Sequence, residues 1–334
     1  MRRFVVLLGA AVVVLASLYT GYWFLVAHQL REGLEPWADA RRAEGFGVAW
    51  RSAEISGFPF AIRLSVAGAS WQAVQPFPYD ATSDRVVLEA APWNLRRWHL
   101  DAPKGADISA IQGVAGFSAG TVSGTAAADD RATVLDLTAD TVSGRGVADG
   151  DSASSLSVHL DIPARPPQGD RDPFISVNAQ VTDATLPQAP APFAQRIDSL
   201  SLTTTVRGPV PAAPLISALT QWRDAGGTLD IEGTHIAWNK TSIDLAGTLA
   251  LDSAMQPEGA LTATIAGGDS IVDAIVTAGK LDPRYAAVAK SVLRAIAEPN
   301  PDGSETLHVP LSLQDQRLYL GPAPIAALPR LTWR

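Results

Sequence analysis

The chain has no cysteine. A disulfide framework, a thiolate metal site and a thiol nucleophile are all excluded, so the fold must be held by packing and hydrogen bonds. Histidine is scarce as well. His28, His99, His159, His235 and His308 are scattered, with no pair at ligand spacing. Nor is there a basic block: the formal charge is −8 and spread along the chain. That argues against a nucleic-acid partner, because binding phosphates takes a concentrated positive surface.

What the chain does have is one long apolar run. Phe4 to Ala27, FVVLLGAAVVVLASLYTGYWFLVA, carries no charge and follows Arg2 and Arg3. As a helix it extends roughly 36 Å, enough to cross a hydrocarbon layer of about 30 Å with some tilt. Tyr19, Tyr22 and Trp23 crowd its C-terminal end, where aromatic side chains sit at headgroups. The two arginines favour a cytoplasmic N-terminus. The expected layout is a cytoplasmic tip at 1–3, a transmembrane anchor at 4–27, and the bulk of the chain in the periplasm as a single-pass inner-membrane protein. A cleaved signal peptide is the rival reading. It calls for small residues at the cut, and Trp23, Phe24 and Leu25 stand there instead.

Residues 28–45 are expected to prolong the helix as a stalk. Leu30, Leu34, Trp37 and Ala38 share a face, Pro36 predicts a kink, and Gly45 and Gly47 end it. From 46 to 334 the period is mostly two. Phe60, Ile62, Leu64 and Val66 alternate with Ala61, Arg63 and Ser65, and Pro59 opens that strand. The same alternation recurs from Leu156, Leu200, Ile243 and Leu307. One apolar and one polar face is the pattern of antiparallel sheets; parallel strands read as unbroken apolar runs. The Gly- and Ser-rich stretch 105–151, with TVSG at Thr121 and Thr141, fits a meander. Pro163 to Pro173 and Pro187 to Pro192 read as loops.

Three helices interrupt the strands. Ala212 to Ala225 is stopped by Gly226 and Gly227, and Asp269 to Ala278 by Gly279. Asp282 and Pro283 open a third through Ala297, with Tyr285, Val288, Val292 and Ile296 as its expected buried stripe. The fold class is mainly β (α+β): a transmembrane helix, then a long curved antiparallel sheet with a few C-terminal helices packed on it.

Several segments together resemble a known family. They are GYWFLVAHQLREGLEPWADARRAEG from Gly21, ISGFPFAIRL from Ile55, APWN from Ala91, the run from Trp222 to Asp252, and LGPAPIAALP from Leu320. These segments look like the bacterial family called domain of unknown function 2125. The resemblance runs from the anchor to the C-terminus and supplies no catalytic residue. The strand-rich segments, such as Leu245 to Ile265, are also similar to AsmA-like envelope proteins. That likeness implies a membrane-anchored periplasmic sheet and leaves function open.

Candidate chemistry is sparse. Gly116-Phe-Ser-Ala-Gly matches a nucleophile elbow at Ser118, yet strand and turn residues follow where a helix is required. Asp149-Gly-Asp-Ser and Gly169-Asp-Arg-Asp lack the ligand spacing of calcium loops and read as solvated turns. Asp230, Glu232 and Asp244 read as polar strand faces. No catalytic residue, metal or cofactor is expected. The eight tryptophans beyond the anchor suit core packing, an apolar groove or a membrane-facing rim. The expected groove residues are Phe60, Ile62, Leu64, Leu245 and Leu249. The expected membrane-surface residues are Tyr22, Trp23, Trp93, Arg96, Arg97 and Trp98, with a plain strand as the alternative for Trp93 to Trp98. The leading expectation is non-catalytic lipid handling or envelope maintenance. The alternatives are a scaffold that binds an envelope protein through a sheet edge, and a serine hydrolase.

Overall fold

Each alternating strand has one face that water solvates poorly, and strands hide part of that face by lying side by side. In the computed structural model they do so as a single 18-stranded sheet. The structure describes residues 2–333 apart from 74–78, 111–114, 147–148, 188–194, 212, 278, 280–281, 300–304 and 332.

Helix α1, Arg2–Ala43, comes first. The first strands are β1 (Gly47–Ala49), β2 (Ser52–Ser56), β3 (Ile62–Ala73), β4 (Tyr79–Ala91), β5 (Asn94–Ala102) and β6 (Ala106–Ala110). The longer strands β7 (Ala115–Ala128), β8 (Ala132–Gly146), β9 (Ser152–Pro163), β10 (Pro173–Thr185) and β11 (Arg196–Arg207) make the middle. Helix α2 (Leu215–Asp224) precedes β12 (Thr228–Trp238), β13 (Thr241–Leu251) and β14 (Pro257–Ala266). Helices α3 (Gly268–Thr277) and α4 (Pro283–Ile296) lead to β15 (Glu298–Pro299), β16 (Glu305–Gln314), β17 (Arg317–Leu320) and β18 (Ala323–Ala327).

Every pairing among the described residues is antiparallel, and the spatial order follows the chain. Both β1 and β2 pair with β3, then come β4, β5 with β6, and β7. From β7 the meander runs strand by strand to β14, then to β16, β17 and β18, with β15 beside β16. At about 4.8 Å per strand the sheet is roughly 65 Å wide.

The expected helices are present with boundaries shifted by a few residues. α1 runs from Arg2 to Ala43 with Pro36 inside it, so the apolar run and the segment expected as its stalk are one helix. α2 lies at the end of the sheet where β11 passes into β12, and Trp222 donates its indole N–H to the Arg207 carbonyl at 2.7 Å. Gly227 permits that contact, since a Cβ there would fall 2.3 Å from the Trp222 ring nitrogen. At the opposite end α3 and α4 pair through Lys290–Asp273 at 2.6 Å and Arg294–Asp269. Asp282 caps α4 by accepting from the Arg284 N–H at 2.9 Å.

Two local expectations are corrected. Strand β3 begins at Ile62; Phe60 lies in the preceding turn and is 76% exposed. Pro59, expected to open the strand, sits inside that turn instead. In α4, Tyr285, Val288 and Val292 are exposed, and the half-buried side is Ala286, Ala289 and Leu293. The helix is turned so that this side, with Lys290, faces its neighbours.

Full burial is concentrated where helices meet the sheet: Trp23, Ile62 and Leu64 near α1, Trp222 on α2, Val272 and Leu307 near α3. Strands β7 to β10 pack on their neighbouring strands, and among the described residues no helix packs on them extensively.

Candidate functional site

In an antiparallel pair, directly opposed residues point to the same face. Following the register from Leu64 therefore traces one face across the molecule. Leu64 opposes Leu88, which opposes Leu100, then Gly124, Leu137 and Val158. The row continues through Ala179, Leu202, Thr234, Leu245, Ala263 and Val309. Only Gly124 and Thr234 interrupt its apolar character. At Gly124 a Cβ would meet the Leu137 side chain at 2.7 Å, so the bare backbone makes room for that leucine.

Flanking rows repeat the pattern. One runs Trp98, Ala126, Leu135, Leu160, Val177 on one side of the central row. The other includes Val122, Ala139, Leu156, Val181, Leu200 and Ile236. Most of these side chains are half-buried, covered by their lateral neighbours.

The opposite face is polar and cross-linked strand to strand. Ser118 donates to Asp107 at 2.6 Å, and Asp107 also pairs with Arg145. Thr125 and His159 both meet Asp136, and His235 meets Asp244 at 2.7 Å. The His159 hydrogen bond holds the Asp136 carboxyl below its ordinary range. Asp230 pairs with Arg207 and Thr248, and Glu232 accepts from Thr205. Each of these carboxylates has a neighbouring donor, as a solvated strand face requires.

Ser118 lies within β7, with strand on both sides, so the strand–turn–helix of a nucleophile elbow is not formed there. The Gly169 segment is a turn in which Asp172 accepts from the Gln168 and Gly169 N–H groups. Among the described residues no group of three or more His, Asp or Glu could hold a metal. Surface clefts are shallow: one of about 390 Å³ lies beside Leu249, Gly259 and Leu313.

The groove residues occupy different stations along one face. Ile62 and Leu64, buried in β3, and Leu245 and Leu249, half-buried in β13, are separated by roughly 40 Å of sheet. Phe60 stands apart in its turn. Trp98 is half-buried on the apolar face and donates to the Leu95 carbonyl at 2.9 Å. Arg96 and Arg97 are exposed on β5, Arg96 reaching Asp130 at 3.4 Å. Trp93 is 68% exposed in the turn before β5.

Tyr22 and Trp23 take part in something the sequence did not disclose: a clamp between α1 and two turns of the sheet. Trp23 is 4% exposed and donates its indole N–H to the Ala61 carbonyl at 2.9 Å. Tyr22 donates to the Pro92 carbonyl at 2.7 Å, and Tyr19 to the Pro59 carbonyl. The Phe58 ring packs edge-on to Trp23 and stacked on Phe24. Farther along, Trp37 and Phe46 meet Trp71, and Arg42 donates to the Val48 carbonyl. The only hint in the sequence was the coincidence of the aromatic cluster Tyr19, Tyr22, Trp23 and Phe24 on α1 with the aromatic GFPF turn.

Fold and site together define a mainly β protein: an amphipathic antiparallel meander clamped to one long apolar helix, of a length and composition able to cross a membrane or serve as a signal sequence. Residues 23–329 match the family model described as an uncharacterized protein conserved in bacteria (DUF2125), and the chain belongs to that family. No curated protein and no solved structure matches it.

Proposed function

We propose that this is a bitopic inner-membrane protein whose periplasmic sheet offers an apolar, curved face to lipid, without catalysis, in lipid handling or envelope maintenance. Arg2 and Arg3 orient the anchor with its N-terminus inside. The observation that carries the reading is the apolar row from Leu64 to Val309. With its flanking rows it makes an apolar strip about three residues deep that crosses twelve strands, most of its side chains half-buried. A twisted sheet of this width bends naturally, and an acyl chain would run along the row across the strands.

The test uses the full chain in polymer-bounded membrane discs, with a photoreactive amino acid at Leu137 on the apolar face or at Thr138 on the polar face. Cross-linked lipid detected by mass spectrometry at 137 and not at 138 is the expected result. Equal labelling at both positions, or none, overturns the reading. Cross-linking at 137 to polypeptide would favour the scaffold alternative.

A further inference from the structure

We infer that the Gly57–Ala61 turn and the Pro92–Trp93 turn are inserted into the periplasm-facing leaflet of the membrane that α1 spans, with lipid as the occupant of their exposed aromatic surfaces. The inference rests on α1 being an anchor and is independent of lipid binding along the sheet.

Helix length sets the depth of the turns. They are held by Tyr19, Tyr22 and Trp23. The uncharged run before this clamp, from Phe4 to Leu18, gives roughly 22 Å of helix, short of a hydrocarbon core of about 30 Å. Residues 19–24 are needed to complete the span. The turns bound to them are then carried to the same depth.

Their surface chemistry suits that depth. Phe60 is 76% exposed, Trp93 68% and Phe58 47%, while Phe24 and Leu25 on the adjoining helix are 58% and 54%. This apolar surface is continuous with the span itself. Exposed Arg96 and Arg97 follow Trp93 on β5, about 10 Å farther along the strand, at the distance where guanidinium groups would meet lipid phosphates.

The backbone suits it too. A turn placed in lipid must satisfy its own polar groups. Pro59 and Pro92 have no N–H, and their carbonyls accept from Tyr19 and Tyr22. The Ala61 carbonyl accepts from Trp23, and the Ala61 N–H returns to the Gly57 carbonyl at 2.9 Å. The clamp that fixes the turns also removes much of what would oppose their insertion.

The absence of cysteine allows single nitroxide labels on the full chain. Val14→Cys, Phe60→Cys, Trp93→Cys and Asp149→Cys are reconstituted separately in phosphatidylethanolamine–phosphatidylglycerol vesicles. Collision rates with oxygen, which concentrates in bilayers, are compared with those of a water-soluble nickel chelate. The expected result is a rise in the oxygen-to-nickel ratio at 14, 60 and 93 relative to 149. If 60 and 93 match 149 while 14 reports bilayer, the inference is overturned and the anchor stands. If 14 also matches 149, both fall. Should Phe60→Cys abolish the unfolding transition, Leu95→Cys, on the strand leaving the second turn, takes its place with the same two outcomes.

Discussion

The indole N–H of Trp23 and the carbonyl of Ala61, 38 positions apart in the chain, are joined by a 2.9 Å hydrogen bond that ties the apolar helix to the first long strand of the sheet. Trp23→Phe keeps most of the ring and removes the donor, leaving a half-buried carbonyl without its indole partner. It is expected to lower stability by about 1–3 kcal/mol, and Tyr22→Phe, at a more exposed site, by about 1 kcal/mol or less. Denaturant unfolding of the full chain in micelles measures both. An unchanged midpoint for Trp23→Phe would mean that the clamp contributes nothing.

Gly57 is needed where it is. Its φ is +103°, and a Cβ would stand 2.7 Å from the Ala61 carbonyl oxygen, the acceptor of the Trp23 bond. Gly57→Ala is expected to cost about 1–3 kcal/mol. Gly33, exposed on α1, provides the contrast, because a Cβ placed there would meet nothing within 4 Å. Gly33→Ala should be neutral or stabilising by up to about 1 kcal/mol. Melting curves of the two variants should move in opposite directions or differ plainly in size.

A charge on the apolar row separates function from fold. Leu137→Asp, between Gly124 and Val158, places a carboxylate where an acyl chain would lie. It should reduce co-purifying lipid well beyond any change caused by Thr138→Asp on the other face. Quantitative lipid mass spectrometry on matched amounts of folded protein is the readout. Equal lipid content in the two variants would count against occupancy of that face.

Ser118 gives a simple chemical check. Its hydroxyl is held by Asp107 within a strand. A fluorophosphonate probe is expected to leave it unlabelled, and Ser118→Ala to change nothing in the labelling pattern of the wild-type chain. Specific modification at Ser118 would restore the hydrolase alternative.

Acid should act on the polar face. The hydrogen bond from His159 lowers the Asp136 pKa in the folded chain. A depressed carboxyl contributes stability that is complete above its unfolded value, about 3.9, and that fades as pH falls through the lower folded value. Both side chains are about half exposed, so the contribution is under about 1 kcal/mol. Asp136→Asn should cost that small amount at pH 7, and the difference from wild type should shrink as pH is taken below the ordinary carboxylate range. Denaturant midpoints measured at several pH values give the comparison.

The face assignments were legible because period two is a local property. Leu156, Leu200, Ile243 and Leu307 reveal their orientation within their own strands, and Gly226, Gly279 and Asp282 reveal helix ends. Location along the sheet was not legible. That Leu64 and Leu245 share a row, with most of the sheet between them, depends on every intervening register, which no single strand encodes. The roles of Tyr22 and Trp23 were hidden for another reason. An aromatic residue at the end of an apolar helix suits a headgroup layer and a protein contact equally, and only the position of the Pro92 and Ala61 carbonyls distinguishes the two. In α4 the stripe of Tyr285, Val288 and Val292 met the expected periodicity, yet the helix turns Ala286, Ala289 and Leu293 inward, with Lys290 and Arg294 paired to Asp273 and Asp269 of α3, and those ion pairs lie outside any hydrophobic period.

The meander has a consequence for how the chain is made. Each long strand finds its partner among the next segments to emerge, and no early strand waits for a distant one. Local pairings of this kind cost little loop-closure entropy and favour rapid assembly. On the proposed anchoring of α1, the sheet would grow outward from its first hairpin as successive segments emerge. The apolar face would then lengthen one strand at a time, and the chain would have no need to gather its whole hydrophobic surface in a single collapse.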